Sequence, residues 1–187
     1  MFEHFTTPEE IFSYKLGSAL TMEYDSLEML EYMEKKAMRS ELREIFREHA
    51  HETRQQIENL KRCFASLGQE VNQMPSPATK GLAKDAKSFI VKTDEILVDA
   101  VVLAALLEAE HHEMAVYENL ITQAKALGAA GTVELLSKNL LQEQSALEKI
   151  KTAANWIVQA NAEDRARTDP APEPEVGAPP YLPPGAI

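Results

Sequence analysis

The chain has 187 residues, 7 glycines, 10 prolines, one cysteine and a formal net charge of −11. That length suits one domain able to bury a core without staples, and the glycine-poor composition, rich in Ala, Leu, Glu and Lys, favours helix nearly throughout. The acidic balance argues against a nucleic-acid surface or a basic face for anionic lipid, and it favours accumulation of cations near the molecule.

Met1 to Thr7 has neither a basic segment nor an apolar run, so no export signal is expected. Thr7-Pro8-Glu9-Glu10 is a helix start, with Thr7 as N-cap, Pro8 at the first helical position and Glu10 closing a capping box. The first helix is predicted from about Pro8 to about Ala37. Ser40 is the expected cap of a second helix, Glu41 to about Ser66, which Gly68 stops. Cys63 on that helix has no partner for a disulfide and reads as a small buried hydrophobe, in keeping with a reducing cytoplasm. Val71 to Thr79, holding Pro75 and Pro77, is predicted as a crossover, followed by a short amphipathic helix around Gly81 to Val91. A third long helix covers about Asp94 to Ala126. Its apolar run Ala100 to Leu107 is far below the roughly 18 residues that span a bilayer, so no membrane insertion is expected. The chain then turns near Gly128 into a fourth long helix, about Val133 to Ala160. From Asn161 onward it is acidic and then proline-rich, with seven of the ten prolines, and reads as a tail ending in the apolar Pro179-Pro180-Tyr181-Leu182-Pro183-Pro184. Two helical hairpins joined by a long crossover predict an all-α, ferritin-like four-helix bundle over residues 1–160, with a tail over 161–187. A groove on a partner protein, a sister subunit or a compartment shell is the expected destination of that tail, beside the plain alternative of an unbound solubilising segment.

Each long helix carries an apolar stripe interrupted by a carboxylate. The stripes are Phe12, Leu16, Leu20, Glu23, Leu27, Leu30; then Ile45, His49, Glu52, Gln56, Leu60, Phe64. They continue with Leu106, Glu110, Glu113, Tyr117, Leu120, Ala124 and with Leu136, Leu140, Glu143, Leu147, Ile150, Ala154, Ile157. An ionised carboxylate in a core costs several kcal/mol even after relaxation, so four such positions imply a compensating cation, most economically a metal pair. With the first turn near Arg39, Glu23 lies about 16 residues before it and Glu52 about 13 after, an axial offset of roughly 4–5 Å. Around Ala130, Glu113 and Glu143 are placed in the same way, and Glu110 lies one turn deeper than Glu113. All five fall in one slab.

A typical di-iron or di-manganese bundle takes two Glu-x-x-His pairs, yet Gln55 follows Glu52 and Ala146 follows Glu143 where histidines are expected. The substitutes are His49 and the second carboxylate, Glu113. The candidate ligands are therefore Glu23, His49, Glu52, Glu110, Glu113 and Glu143. Such an oxygen-dominated set suits iron or manganese better than copper. Alternatives stand beside this reading. His49 is either a ligand or a core histidine bonded to a carboxylate; His111 is expected behind the ligands, and His112 facing solvent. Glu48 and His51 lie off the stripe. Tyr24 and Tyr117 are either donors to the ligands or packing residues, packing being preferred.

The run Glu48-His49-Ala50-His51-Glu52-Thr53-Arg54-Gln55-Gln56-Ile57-Glu58, followed by Phe64 and Leu67-Gly68, resembles the second-helix signature of the YciE/YciF-like ferritin-like stress proteins. Glu110-His111-His112-Glu113-Met114-Ala115-Val116-Tyr117 is similar to the third-helix signature, and Glu23 and Glu143 fall where that family places its remaining carboxylates. The resemblance spans about Pro8 to Ala160. It implies a bacterial, rubrerythrin-like bundle that often dimerises and is associated with stress responses. The chain departs from the family at His51 (usually Glu), His112 (usually Tyr) and Glu118 (usually Gly), and the proline-rich tail lies outside the pattern. Three functions follow as expectations: a di-metal carboxylate protein, most readily di-iron with manganese as the alternative, that turns over Fe(II) with O₂ or peroxide; a non-catalytic metal- or partner-binding stress protein; or a structural bundle with a polar core. A cytoplasmic homodimer or larger homo-oligomer is expected in each case.

Overall fold

The computed structural model describes residues 4–168. The order is α1 (Pro8–Lys36), α2 (Ser40–Ser66), α3 (Pro77–Val91), a 3-10 turn (Glu95–Leu97), α4 (Val98–Ala126) and α5 (Ala130–Thr168). No strand occurs among the described residues. The pairs α1/α2 and α4/α5 form two hairpins packed into a four-helix bundle, and the crossover with α3 lies against α1 and α4.

Local chemistry explains the helix ends. Thr7 accepts from the Glu10 N–H at 3.2 Å while the Glu10 carboxylate accepts from the N–H groups of Thr6 (2.7 Å) and Thr7 (3.2 Å), completing the capping box. Gly68 (φ 68°) and Gly128 (φ 69°) end α2 and α4 in the left-handed conformation. At both ends the next residue's N–H reaches back five residues, Gln69 to Phe64 O and Ala129 to Ala124 O, each at 2.9 Å. The expected cap at Ser40 is not used. Ser40 is the first helical residue, Arg39 precedes it without a side-chain cap, and buried Asp99 of α4 does the equivalent work from outside the hairpin. Its carboxylate accepts the Met38 N–H at 2.7 Å and pairs with the Arg39 guanidinium at 2.9 Å.

Two boundaries also differ from the sequence reading. The short helix begins at Pro77, within the stretch expected to be crossover, because proline at the first helical position forfeits only an N–H that has no intrahelical partner. The last helix runs through Thr168 rather than ending at Ala160, since Asn161 to Thr168 contains no proline and the proline-rich composition begins at Pro170. The rest of the expected tail lies outside the described residues.

Gly17 fixes the crossover on α1. A Cβ there would sit 2.5 Å from Asn72 O, and the Met74 N–H donates to Gly17 O at 3.1 Å while Ser18 Oγ donates to Pro75 O at 3.0 Å. The core is divided into two apolar clusters. One gathers Met29, Leu30, Phe46, Leu103, Leu106 and Ile150 toward the α1–α2 turn; the other gathers Phe12, Leu16, Leu20, Phe64, Leu120 and Leu136 toward the opposite end. A polar layer lies between them.

Candidate metal centre

The dividing layer is built from the carboxylates that interrupt the stripes. Glu23 of α1, Glu110 and Glu113 of α4 and Glu143 of α5 are fully buried, and His49 of α2 is 2% exposed. Their atoms form two groups, His49/Glu110/Glu143 and Glu23/Glu113/Glu143, within each of which one ligand atom per residue lies within 4.8 Å of the others. Glu143 is common to both groups. His49 Nε2 lies 2.8 Å from Glu110 Oε1 and 3.9 Å from Glu143 Oε2.

Five of the six residues proposed from sequence are thus brought together. Glu52 is not among them. Its side chain is 25% exposed, it belongs to neither group, and it meets the layer through His49, with Oε2 3.5 Å from Nδ1. The buried face of α2 runs through Leu42, Phe46, His49, Thr53, Gln56 and Leu60, so Thr53 rather than Glu52 stands at its centre, and Glu52 lies roughly 90° away on the flank facing α5.

Of the remaining histidines, His51 is exposed and contacts Gln55, while His111 is exposed rather than behind the ligands. His112, expected in solvent, is half-buried and lines a crevice of about 200 Å³ with Lys15, Pro75 and Pro77. Both histidines are nearly equidistant in angle from the inward face set by Glu110 and Glu113. The crossover covers the His112 side only, which decides between them.

Several polar residues in this layer carry no charge signal, yet they are built into the site. Tyr117 donates to Glu23 Oε1 at 2.5 Å, so its role is not packing alone; Tyr24 is 37% exposed. Asn139 donates to the Tyr117 hydroxyl (3.0 Å) and to Gln56 O (3.2 Å), and accepts from Asn59 at 2.7 Å. Thr53 Oγ1 holds the His49 carbonyl at 3.0 Å. The available signal for Asn139 was its position four residues before Glu143, on the same helical face.

The electrostatics are those of carboxylates crowded together in a buried layer. Burial, together with the Glu110 charge, raises the Glu23 pKa to about 8 against the opposing Tyr117 hydrogen bond and His49 charge. Burial and then neighbouring carboxylates push Glu113 and Glu143 well above the ordinary range. For His49 burial opposes the charged form, but the charge and hydrogen bond of Glu110, with help from Glu52, outweigh it and hold the pKa at about 10. Glu23 Oε2, Glu110 Oε2, both oxygens of Glu113 and of Glu143, and His49 Nδ1 are buried without a hydrogen-bond partner. Orphaned buried acceptors are rare and costly, and a convergent set of them fits hard divalent cations. Outside the layer, Cys63 is buried, and burial pushes its thiol up to about 12.

Residues 7–163 match the model of the family described as "Domain of unknown function (DUF892)". Protein YciF of Escherichia coli (strain K12) is 29% identical over 162 residues, 86% of this chain and 98% of that protein. The crystal structure of that E. coli stress protein matches with a TM-score of 0.78 at 26% identity, covering 83% of this chain and 99% of YciF. YcfI from Rhodopseudomonas palustris, a candidate structural protein by its own description, matches at 31% identity and a TM-score of 0.79, over 81% of this chain and 98% of YcfI. The match covers both hairpins and the whole carboxylate layer, as the helix signatures implied. The chain belongs to the DUF892 family, among YciF-like helical proteins.

Proposed function

We propose that this chain is a di-metal carboxylate protein that holds two iron or manganese ions between its hairpins and handles Fe(II) with O₂ or peroxide in a stress response. The observation that carries the reading is the pair of three-residue groups sharing Glu143, with six buried carboxylate oxygens lacking a hydrogen-bond partner. Glu23, Glu113 and Glu143 would hold one ion, and His49, Glu110 and Glu143 the other. When bound, such ions supply one-electron redox chemistry toward O₂ or peroxide.

The protein's own contribution is positional. Tyr117 ties down one oxygen of Glu23 and leaves the other free, with Asn139 fixing the hydroxyl. The two apolar clusters exclude bulk water from above and below the layer, which strengthens every electrostatic interaction within it. YciF is described as a stress protein, and that likeness supports the physiological setting. The single buried thiol suits a reducing cytoplasm, and a homodimer or larger homo-oligomer is the assembly we propose, with the proline-rich tail as a contact for a partner.

One observation favours a second, non-catalytic reading. The His49–Glu110 pair already offsets part of the buried charge, as a structural polar core would. Metal analysis of the purified protein, followed by Fe(II) oxidation against a buffer control, separates the readings. About two ions per chain and oxidation faster than buffer support the enzyme; bound metal without acceleration leaves a metal-binding protein; no metal leaves the structural core.

A further inference from the structure

Buried cation sites need a way in, and the flanks of this bundle are not equivalent. The α1/α4 side is covered by the crossover, pinned through Gly17 and Ser18, and the crevice left there carries the ammonium of Lys15, which repels a cation. On the α1/α2 side, Arg54 pairs with Glu31 at 2.7 Å and donates to Ala50 O at 3.1 Å. The α2/α5 flank is different: Glu48 and Glu52 of α2 lie beside the ammonium of Lys149, and Gln142 donates to Gln55 Oε1 at 3.3 Å on the same flank.

A continuous series of polar contacts runs inward from that flank. Lys149 Nζ lies 3.5 Å from Glu48 Oε2 and 3.9 Å from Glu52 Oε1. Glu52 Oε2 lies 3.5 Å from His49 Nδ1, and the other nitrogen of the same ring lies 2.8 Å from Glu110 and 3.9 Å from Glu143. His49 is nearly fully buried, yet its Nδ1 is without a hydrogen-bond partner and is aimed at Glu52, whose facing oxygen is likewise sheltered and unpaired.

We propose that Glu48, Glu52 and Lys149 form the uptake port for divalent cations, with Glu52 passing the ion to His49 and Glu143, and Lys149 as the counter-charge the ion displaces. This rests on the di-metal reading. A divalent ion interacts with two carboxylates more strongly than one ammonium does, so Lys149 yields to it while discouraging monovalent cations. Glu52 then owes its half-buried place to transport rather than to permanent ligation.

The test follows Mn(II) uptake by the metal-stripped full chain, using stopped flow with a fluorescent Mn(II) indicator, and measures the amount bound at equilibrium by dialysis. Glu52→Gln is expected to slow uptake roughly tenfold, with Glu52→Asp recovering part of the rate, while the amount bound stays that of wild type. Lys149→Gln is expected to speed uptake several-fold and to change its dependence on ionic strength. Glu143→Gln, by contrast, lowers the amount bound. Equal uptake rates in wild type, Glu52→Gln and Lys149→Gln would overturn the port, and loss of bound Mn(II) in Glu52→Gln would make Glu52 a ligand instead. Wild-type protein that binds no Mn(II) or Fe(II) overturns the di-metal reading itself, and the port with it.

Discussion

Glu143 is the residue on which the layer turns. It lies in both ligand groups, both its oxygens lack partners, and the charges of Glu113, Glu23 and Glu110 press on it. Glu143→Gln replaces a group that must either hold a proton or repel its buried neighbours, so the metal-free protein should melt higher, while affinity for Mn(II) should fall at least about 100-fold, beyond the cost of altering a group behind the ligands. Paired thermal melts and Mn(II) titrations check both signs; a lower melting temperature without metal would show the carboxylate to be a net stabiliser. The pH dependence is set by Glu23 and His49. The folded Glu23 pKa of about 8 lies above the ordinary carboxylate value of 4.5, and that of His49, about 10, lies above the ordinary 6.5. In both cases folding takes up protons, so their contribution is complete at low pH and is lost as pH rises through the folded values. Metal-free protein should therefore lose stability steadily between about pH 5 and pH 10 in urea titrations, and bound metal should flatten or reverse that slope because the ligands must be deprotonated. A metal-free protein that gains stability over that range would mean that the carboxylates are ionised in the fold.

At the scale of elements, periodicity made the helices and the slab of carboxylates legible before any coordinates. The interruptions of three stripes sufficed for Glu23, Glu110, Glu113 and Glu143, because a 3.6-residue repeat locates a face to within about one residue. The same tolerance explains Glu52: His49 and Glu52 are three residues apart, and a shift of a few tens of degrees in the buried face keeps the first inside and turns the second toward α5. Tertiary contacts were not legible. Asp99, which closes the α1–α2 turn from a different hairpin, carries no local signal as a cap, and Ser40 was the plausible wrong choice. Asp99→Ala should strip the Met38 N–H and the Arg39 guanidinium of their partner and cost about 2–4 kcal/mol in urea unfolding. Gly17→Ala should cost about 1–3 kcal/mol, since its Cβ meets the backbone oxygen of Asn72, and should raise the rate of limited proteolysis around Asn72 to Met74. An alanine variant with unchanged proteolysis would mean that the crossover is not held by this approach.

The whole molecule couples these scales, because the layer that carries the chemistry is also what splits the core. Two apolar clusters stabilise the bundle from either end, and between them lie four buried carboxylates with one imidazolium. That arrangement is weakest where the proposed ions sit, so ligand binding and folding are linked: an ion that binds only the folded chain stabilises it by RT ln(1 + [L]/Kd), about 2.7 kcal/mol at a free concentration of 100 Kd. For a chain of this size that corresponds to a rise in melting temperature of roughly 5–10 °C with Mn(II), or with Fe(II) under anaerobic conditions. Mg(II) should give a smaller shift, since it dehydrates reluctantly and gains little from an imidazole. The effect should grow with the logarithm of metal concentration and disappear in the Glu23→Gln/Glu143→Gln double variant, which leaves neither group with three ligands. Differential scanning calorimetry across a concentration series checks it. A shift that persists in the double variant would place the stabilising ion elsewhere on the acidic surface, one that saturates would mean that the unfolded chain binds metal too, and no shift with any of these ions would leave the His49–Glu110 pair as the layer's only counter-charge and the bundle as a structural one.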